Sequence, residues 1–259
     1  MIRSPHRPAL FAAGLLVIPL AHGADWTGKG ELGALLARGN AEATSADGKL
    51  DVAETSGAWK NAAHLAFLYG RNATFTTAQR IEAAWQTNYN LNARTFVFGA
   101  FNGNGDRFSG FTYQAAVSTG AGYKFIDSES TKLTGTLGAG YRRLQLEALI
   151  KDPDGQVTGR IKGDTIGDAV GSAGLDYSQQ LTKTTKLTDK FLVQSGDHNT
   201  AAQDDFAVQV AISDKLALSV GYGVRYNSDP PAGAKTTDQL TTINLVYDIK
   251  GTTATASTK

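Results

Sequence analysis

Once residues 1–23 are set aside as a leader, the chain holds only His64 and His198 as histidines, and it contains no cysteine at all. Thiolate chemistry and disulfides are therefore excluded, and histidine-dependent catalysis would have to use one of these two residues. His64 alternates with Leu65 and Phe67 and reads as an inward strand residue. His198 lies in a Gly196-Asp197-His198-Asn199 turn. Neither position brings a nucleophile, a base and an orienting acid together, so the chain is expected to be a non-enzyme without catalytic residues. A partial phosphate-loop match spans Gly23 to Gly30, with Gly28-Lys29 in place but Gly30 where Ser or Thr is required. It runs into a strand instead of a helix, and the Gly-x-Gly pairs at Gly103, Gly120, Gly138 and Gly221 also lack the helix that would cradle a pyrophosphate. Asp152-Pro153-Asp154-Gly155 begins like a calcium loop but lacks the later ligands and reads as a tight turn. No metal and no cofactor is expected.

The remaining chemistry is electrostatic. With the apolar sets facing outward, Lys29, Glu31, Lys49, Asp51, Glu82, Lys124, Arg142, Asp176, Lys190, Arg225 and Asp248 fall on the inward face of a barrel. They are the lumen-lining candidates. Two readings stay open for them. They could pair with one another and, with Gln86, Asn88, Gln114 and Asn244, fill a narrow barrel. They could instead line water and set an ion or solute preference, and the many inward glycines and alanines, which leave room, favour this small pore.

The elements that would position these charges are strands. Leu216, Leu218, Val220, Tyr222, Val224 and Tyr226 alternate with Ala217, Ser219, Gly221, Gly223 and Arg225, and the same division runs from Phe111 to Phe125. Apolar residues two apart fit a strand, whereas a helix places them three and four apart. About twelve such segments begin near Trp26, Ala43, Ala58, Ala78, Arg94, Gly110, Thr131, Thr165, Thr185, Ala201, Lys215 and Asp238, the last pairing with the first. The expected fold is all-β, a transmembrane antiparallel up-and-down β-barrel of about 12 strands.

Short turns at Thr55–Gly57, Leu91–Ala93, Asp127–Ser130, Thr182–Thr185 and Ser213–Lys215 fall at every second connection, and longer ones, notably Leu144–Asp164 and Asn227–Thr237, fall between them. That asymmetry places the short turns and both termini in the periplasm. Outward aromatics would then form two girdles, Trp26, Tyr89, Tyr123 and Tyr247 near one rim and Tyr69, Tyr141, Phe206 and Tyr226 near the other. Two segments break the alternation. Asp189 shares a face with Phe191 and Val193, which calls for a bulge or a shifted register, and Thr165–Leu181 calls for a bulge or a longer, kinked strand.

The ends and the composition fit export to an outer membrane. Arg3, His6 and Arg7, an apolar run from Leu10 to Leu20 and Ala21-His22-Gly23 form a signal peptide over residues 1–23, followed by a barrel over 24–250 and a polar tail over 251–259. The apolar run is about half the roughly 20 residues of a spanning helix. Removing Arg3 and Arg7 from 25 bases leaves 23 against 24 acids, and no basic stripe suits nucleic acid. Glycine is abundant at 29 residues and proline scarce at 6, with a slightly negative mean hydropathy, as expected when only alternate residues meet lipid. The expected partners are outer-membrane lipid, lipopolysaccharide and the barrel assembly machinery.

The opening strand, with Trp26, Gly28, Glu31, Gly33 and then Gly39-Asn40, resembles the salt-induced outer membrane proteins, a family known mainly as a domain of unknown function. Gly120-Ala121-Gly122-Tyr123 and Gly138-Ala139-Gly140-Tyr141 look like that family's glycine-rich strands. The resemblance covers the whole mature chain and implies an outer-membrane barrel linked to salt or envelope stress. It carries over no catalytic residue. The chain departs from many outer-membrane proteins at its end, where Tyr247-Asp248-Ile249 is followed by a polar tail from Lys250 to Lys259 instead of a terminal aromatic.

Overall fold

The computed structural model describes residues 25–37, 43–72, 75–153 and 156–250, so the leader, the tail, Gly39-Asn40 and Asp154-Gly155 lie outside the described residues. The described chain forms twelve strands: β1 (Asp25–Ala37), β2 (Ala43–Ser56), β3 (Trp59–Asn72), β4 (Thr76–Asn90), β5 (Thr95–Asp106), β6 (Phe111–Asp127), β7 (Thr131–Lys151), β8 (Val157–Gln180), β9 (Thr185–Gly196), β10 (Thr200–Ala211), β11 (Leu216–Asn227) and β12 (Thr237–Lys250). Each pairs antiparallel with its sequence neighbours, and β12 returns to β1 to close the barrel. Closure removes the unpaired edges that an open sheet would present.

The alternation read from the sequence sets the two faces. Leu32, Leu65, Ile81, Leu137 and Ile243 point outward and are exposed, in the company of Leu218, Val220 and Leu245. Trp59 packs on Tyr89 with ring centroids 4.9 Å apart, adding a tryptophan to the aromatics of the rim that holds both Asp25 and Lys250. We call this the terminal rim and the opposite one the far rim.

Four expectations are corrected. The segment from Leu144 to Asp164 is mostly strand, because β7 and β8 extend beyond their neighbours as a paired hairpin, with the Asp152 N–H bonded to the Gln156 carbonyl, and β8 begins at Val157, not near Thr165. The longer strand expected for Thr165–Leu181 is therefore present, with a register shift at Gln145/Glu147. No bulge accommodates Asp189: the β9–β10 ladder is regular from Thr200↔Ser195 to Val210↔Thr185, and Asp189 faces outward beside Phe206. Phe206 itself stands near the middle of that ladder and not at a strand end. Connection lengths also differ little between the rims, and the far rim is distinguished instead by the β7–β8 hairpin and the 228–236 connection.

Closure is narrowest at the seam. The β1–β12 ladder runs only from Thr27↔Lys250 to Leu32↔Leu245, whereas β1–β2 runs from Asp25↔Thr55 to Ala37↔Ala43. Beyond the last seam pair, Asn244 of β12 donates its side-chain amide to Asp47 Oδ2 of β2 at 2.6 Å. The bond passes over Gly33, where a Cβ would lie 2.8 Å from Asn244 Oδ1 and would collide with Asp47. Glycine is required there because two polar side chains meet across its strand.

Candidate functional site: the barrel lumen

Period-two alternation and the observed register put every lumen-lining candidate on the inner face. Lys29 stands opposite Asp51 and Asp248, Glu31 opposite Lys49, Lys190 opposite Asp176, Lys124 opposite Thr134, and Arg142 opposite Asp168. Glu82 and Arg225 belong to strands on opposite walls, with β12, β1, β2 and β3 between them. Their side chains nonetheless meet: Arg225 Nη2 lies 3.5 Å from Glu82 Oε2.

That contact is the middle of a chain of ion pairs crossing the lumen toward its far rim. Arg225 also donates to both oxygens of Asp205 at 3.0 Å, and Arg80 sits 3.7 Å from Glu82 and 2.6 Å from Asp106. The result is a throat from β10 to β5 in which each guanidinium is held by two carboxylates. Asp238, opposite Arg225 in register, adds another acid.

Toward the middle of the barrel, Lys29 pairs with Glu31 at 2.6 Å, Lys49 lies 3.9 Å from the same carboxylate, and His64 Nδ1 is 2.8 Å from Asp51 Oδ1. The His64–Asp51 pair holds the imidazole in a fixed orientation, and no side-chain hydroxyl is bonded to it among the described residues. A cavity of about 310 Å³ is lined by these groups and reaches the throat at Arg80, Glu82 and Arg225.

The wall from β5 to β8 is packed differently. Phe96, Phe98, Ala116, Leu144 and Val170 point inward and are buried. Phe96 is seated against Gly122, where any Cβ would collide with its ring, and the Phe98 ring would lie 3.0 Å from a Cβ at Gly138. The two Gly-Ala-Gly-Tyr runs thus make room for aromatics on a neighbouring wall. Arg142, only 2% exposed, is drawn into this packed side and holds Asp168, the Gln194 carbonyl and the Asn199 carbonyl. His198 is attached to the same carboxylate through its backbone N–H at 3.3 Å.

A roof covers the far rim above this packed wall. Leu149 of β7 donates its backbone N–H to the Ala232 carbonyl of the 228–236 connection at 3.0 Å, although β8, β9 and β10 stand between β7 and β11. Gly110, with φ of 81°, lies under Pro231 and Ala234 and accepts from the Glu147 N–H at 2.8 Å. Arg160 pairs with Glu147 across the hairpin at 3.2 Å and ties the hairpin to the β5–β6 turn by donating to the Arg107 carbonyl at 3.1 Å. Burial lowers the Arg160 pKa, and nearby Arg107 lowers it further, with Glu147 opposing.

Sequence reasoning omitted Arg80, Asp106, Asp205 and Asp238 from the site, and Phe96 and Phe98 from the interior. Arg80 could have been found from its parity with Glu82 on β4. The inward phenylalanines carry no such signal, since their seat is glycine on other strands.

Comparison with known proteins places the chain. The uncharacterized protein YdiY of Escherichia coli (strain K12) is 26% identical over 174 residues, covering 67% of this chain and 63% of that one. The chain thus spans less than two thirds of the length of this relative. Among solved structures, the COG4313 outer membrane channel from Pseudomonas putida F1 is similar at 13% identity with a TM-score of 0.47, covering 90% of this chain and 100% of that one. The NanC porin is similar at 11% identity with a TM-score of 0.45, covering 86% and 98%. The model of a family described as protein of unknown function, DUF481, matches residues 30–249, and the chain belongs to that family.

Proposed function

We propose that this barrel resides in a Gram-negative outer membrane, with its terminal rim and both termini in the periplasm, and passes ions or small polar solutes through a narrow, ion-paired lumen. The exposed apolar belt of Leu32, Leu65, Ile81, Leu137 and Ile243 would be stranded in water and is suited to lipid. Lipid and lipopolysaccharide would surround the outer wall, and the barrel assembly machinery would insert it. A link to salt or envelope stress is part of the same reading and rests on the opening-strand resemblance.

The observation that carries the channel reading is the Arg225–Glu82 contact across a lumen that also holds a continuous cavity of about 310 Å³. The cavity reaches the paired side chains of the throat at Arg80, Glu82 and Arg225, and paired charges of mixed sign lower the barrier to either ion. Purified protein in planar bilayers should give small, discrete conductance steps, and Arg225→Ala should enlarge them about twofold or more. Absence of steps from folded wild type and from Arg225→Ala alike would sink the channel. The roof made by Leu149 and Ala232 favours the alternative, a non-conducting structural or interaction barrel of the envelope, which that same result would support.

A further inference from the structure

We infer that the terminal rim of the lumen is a binding collar for small multivalent anions, of the polycarboxylate or phosphate class. Lys60, Lys132 and Lys186 are each the second residue of their strands, β3, β7 and β9, at this rim. Register turns all three inward, opposite Asn88, Ser178 and Gln180 respectively, and Lys124 of β6 joins them from opposite Thr134. Strands three apart around the wall, β3, β6 and β9, therefore each contribute an ammonium to one mouth.

These lysines are short of carboxylates. Among the described residues Lys60 and Lys186 form no ion pair, and Lys124 reaches only Asp127 at 4.0 Å, an acid that Lys132 already holds at 2.8 Å. Two further acids face this mouth, Asp176 opposite Lys190 and Asp248 opposite Lys29 in register, and neither forms an ion pair with a collar lysine among the described residues. The mouth is also narrow enough for its walls to interact. Lys60 is within electrostatic reach of Lys124, Lys132 and Lys190 against one acid, Asp176, and Lys186 of Lys29, Lys132 and Lys190 against one acid, Asp248. Converging ammonium groups repel one another, and a multivalent anion held between them replaces that repulsion by several charge-assisted hydrogen bonds.

The throat has the reverse balance, since Arg80 and Arg225 share Glu82, Asp106 and Asp205, and Asp238 stands opposite Arg225 in register. An anion is thus drawn to the terminal rim and turned back at the throat. This makes the collar a site of residence, reached from the terminal side. The collar requires only that this mouth hold water, so it does not depend on conduction.

The test is isothermal titration of citrate, and separately of inorganic phosphate, into barrel folded in non-ionic detergent, at fixed ionic strength. Citrate should bind, and Lys60→Gln/Lys124→Gln/Lys186→Gln should weaken it at least tenfold, whereas Lys151→Gln at the far rim should leave it unchanged. Heat-dependent gel migration checks that each variant is folded, and Lys186→Gln alone, expected to lose about threefold, serves if the triple variant does not fold. No heat with either anion, or equal affinity in wild type and a folded lysine variant, overturns the collar. Phosphate binding without citrate binding would narrow the ligand to phosphate and still support it. A barrel that binds citrate but passes no current retains the collar and loses the channel; one that conducts but binds neither anion loses only the collar.

Discussion

Asn244 of β12 and Asp47 of β2 are joined by a 2.6 Å hydrogen bond across an intervening strand, directly over Gly33. Removing the donor by Asn244→Ala strands a carboxylate that is turned into the barrel, at a cost of about 1–3 kcal/mol. Gly33→Ala should do comparable damage by pushing the two groups apart. Both should lower the urea midpoint of the detergent-folded barrel. If Asn244→Ala unfolds with wild type, the bond contributes nothing to closure.

The seat of Phe96 gives a second expectation. Gly122→Ala places a methyl against the Phe96 ring and should cost about 1–3 kcal/mol through overpacking. Phe96→Leu should recover much of that loss in the double variant, although alone it is destabilising. Additive losses in the double variant would mean that the ring and the glycine are independent.

Asp189 and Asp204 stand diagonally on the outer wall, opposite Phe206 and Phe191 near the middle of the β9–β10 ladder. In a bilayer such acids are a burden. The penalty for Lys or Arg at this depth is about 2–4 kcal/mol, and that for an acid is smaller. Asp189→Val should therefore stabilise the barrel in liposomes by about 1 kcal/mol, read from the urea midpoint. A loss of stability would show that this patch is covered by something other than lipid.

At the terminal rim, the hydrogen bond from Lys132, aided by its charge, holds the Asp127 carboxyl below the ordinary aspartate range. A depressed folded-state pKa gives stability that is complete above the ordinary range and is lost as pH falls through the lowered value. Wild type should thus lose its small advantage over Asp127→Asn on acidification below about pH 4. The side chain is well exposed, so salt should shrink the same difference. A difference independent of pH would assign the effect to packing.

Strand number, closure and the inward placement of Lys29, Glu31, Lys49 and Asp51 were legible because one face must satisfy lipid, which imposes period two on the sequence. The rule fails where lipid ends. Val157–Asp164 carries Arg160, Lys162 and Asp164 and reads as a loop, yet it is strand, because beyond the membrane zone a hairpin needs no apolar face. It fails again at Asp189, where local alternation calls for a bulge or a shifted register but the long regular ladder on both sides keeps Asp189 facing outward. The throat was only half visible: Glu82 and Arg225 could be named individually, but their meeting depends on the diameter of the closed barrel, which no local window encodes.

The short β1–β12 ladder has a consequence for how the molecule forms. Every other pairing joins strands adjacent in sequence, whereas Thr27↔Lys250 to Leu32↔Leu245 joins segments separated by nearly the whole chain. The loop-closure entropy of that step is the largest in the barrel, and it is repaid by its shortest ladder. Strand pairing should therefore proceed hairpin by hairpin as a curling open sheet. The zipping of Thr27–Leu32 against Leu245–Lys250 would be the late, slow event, and the place where a closed barrel first comes apart.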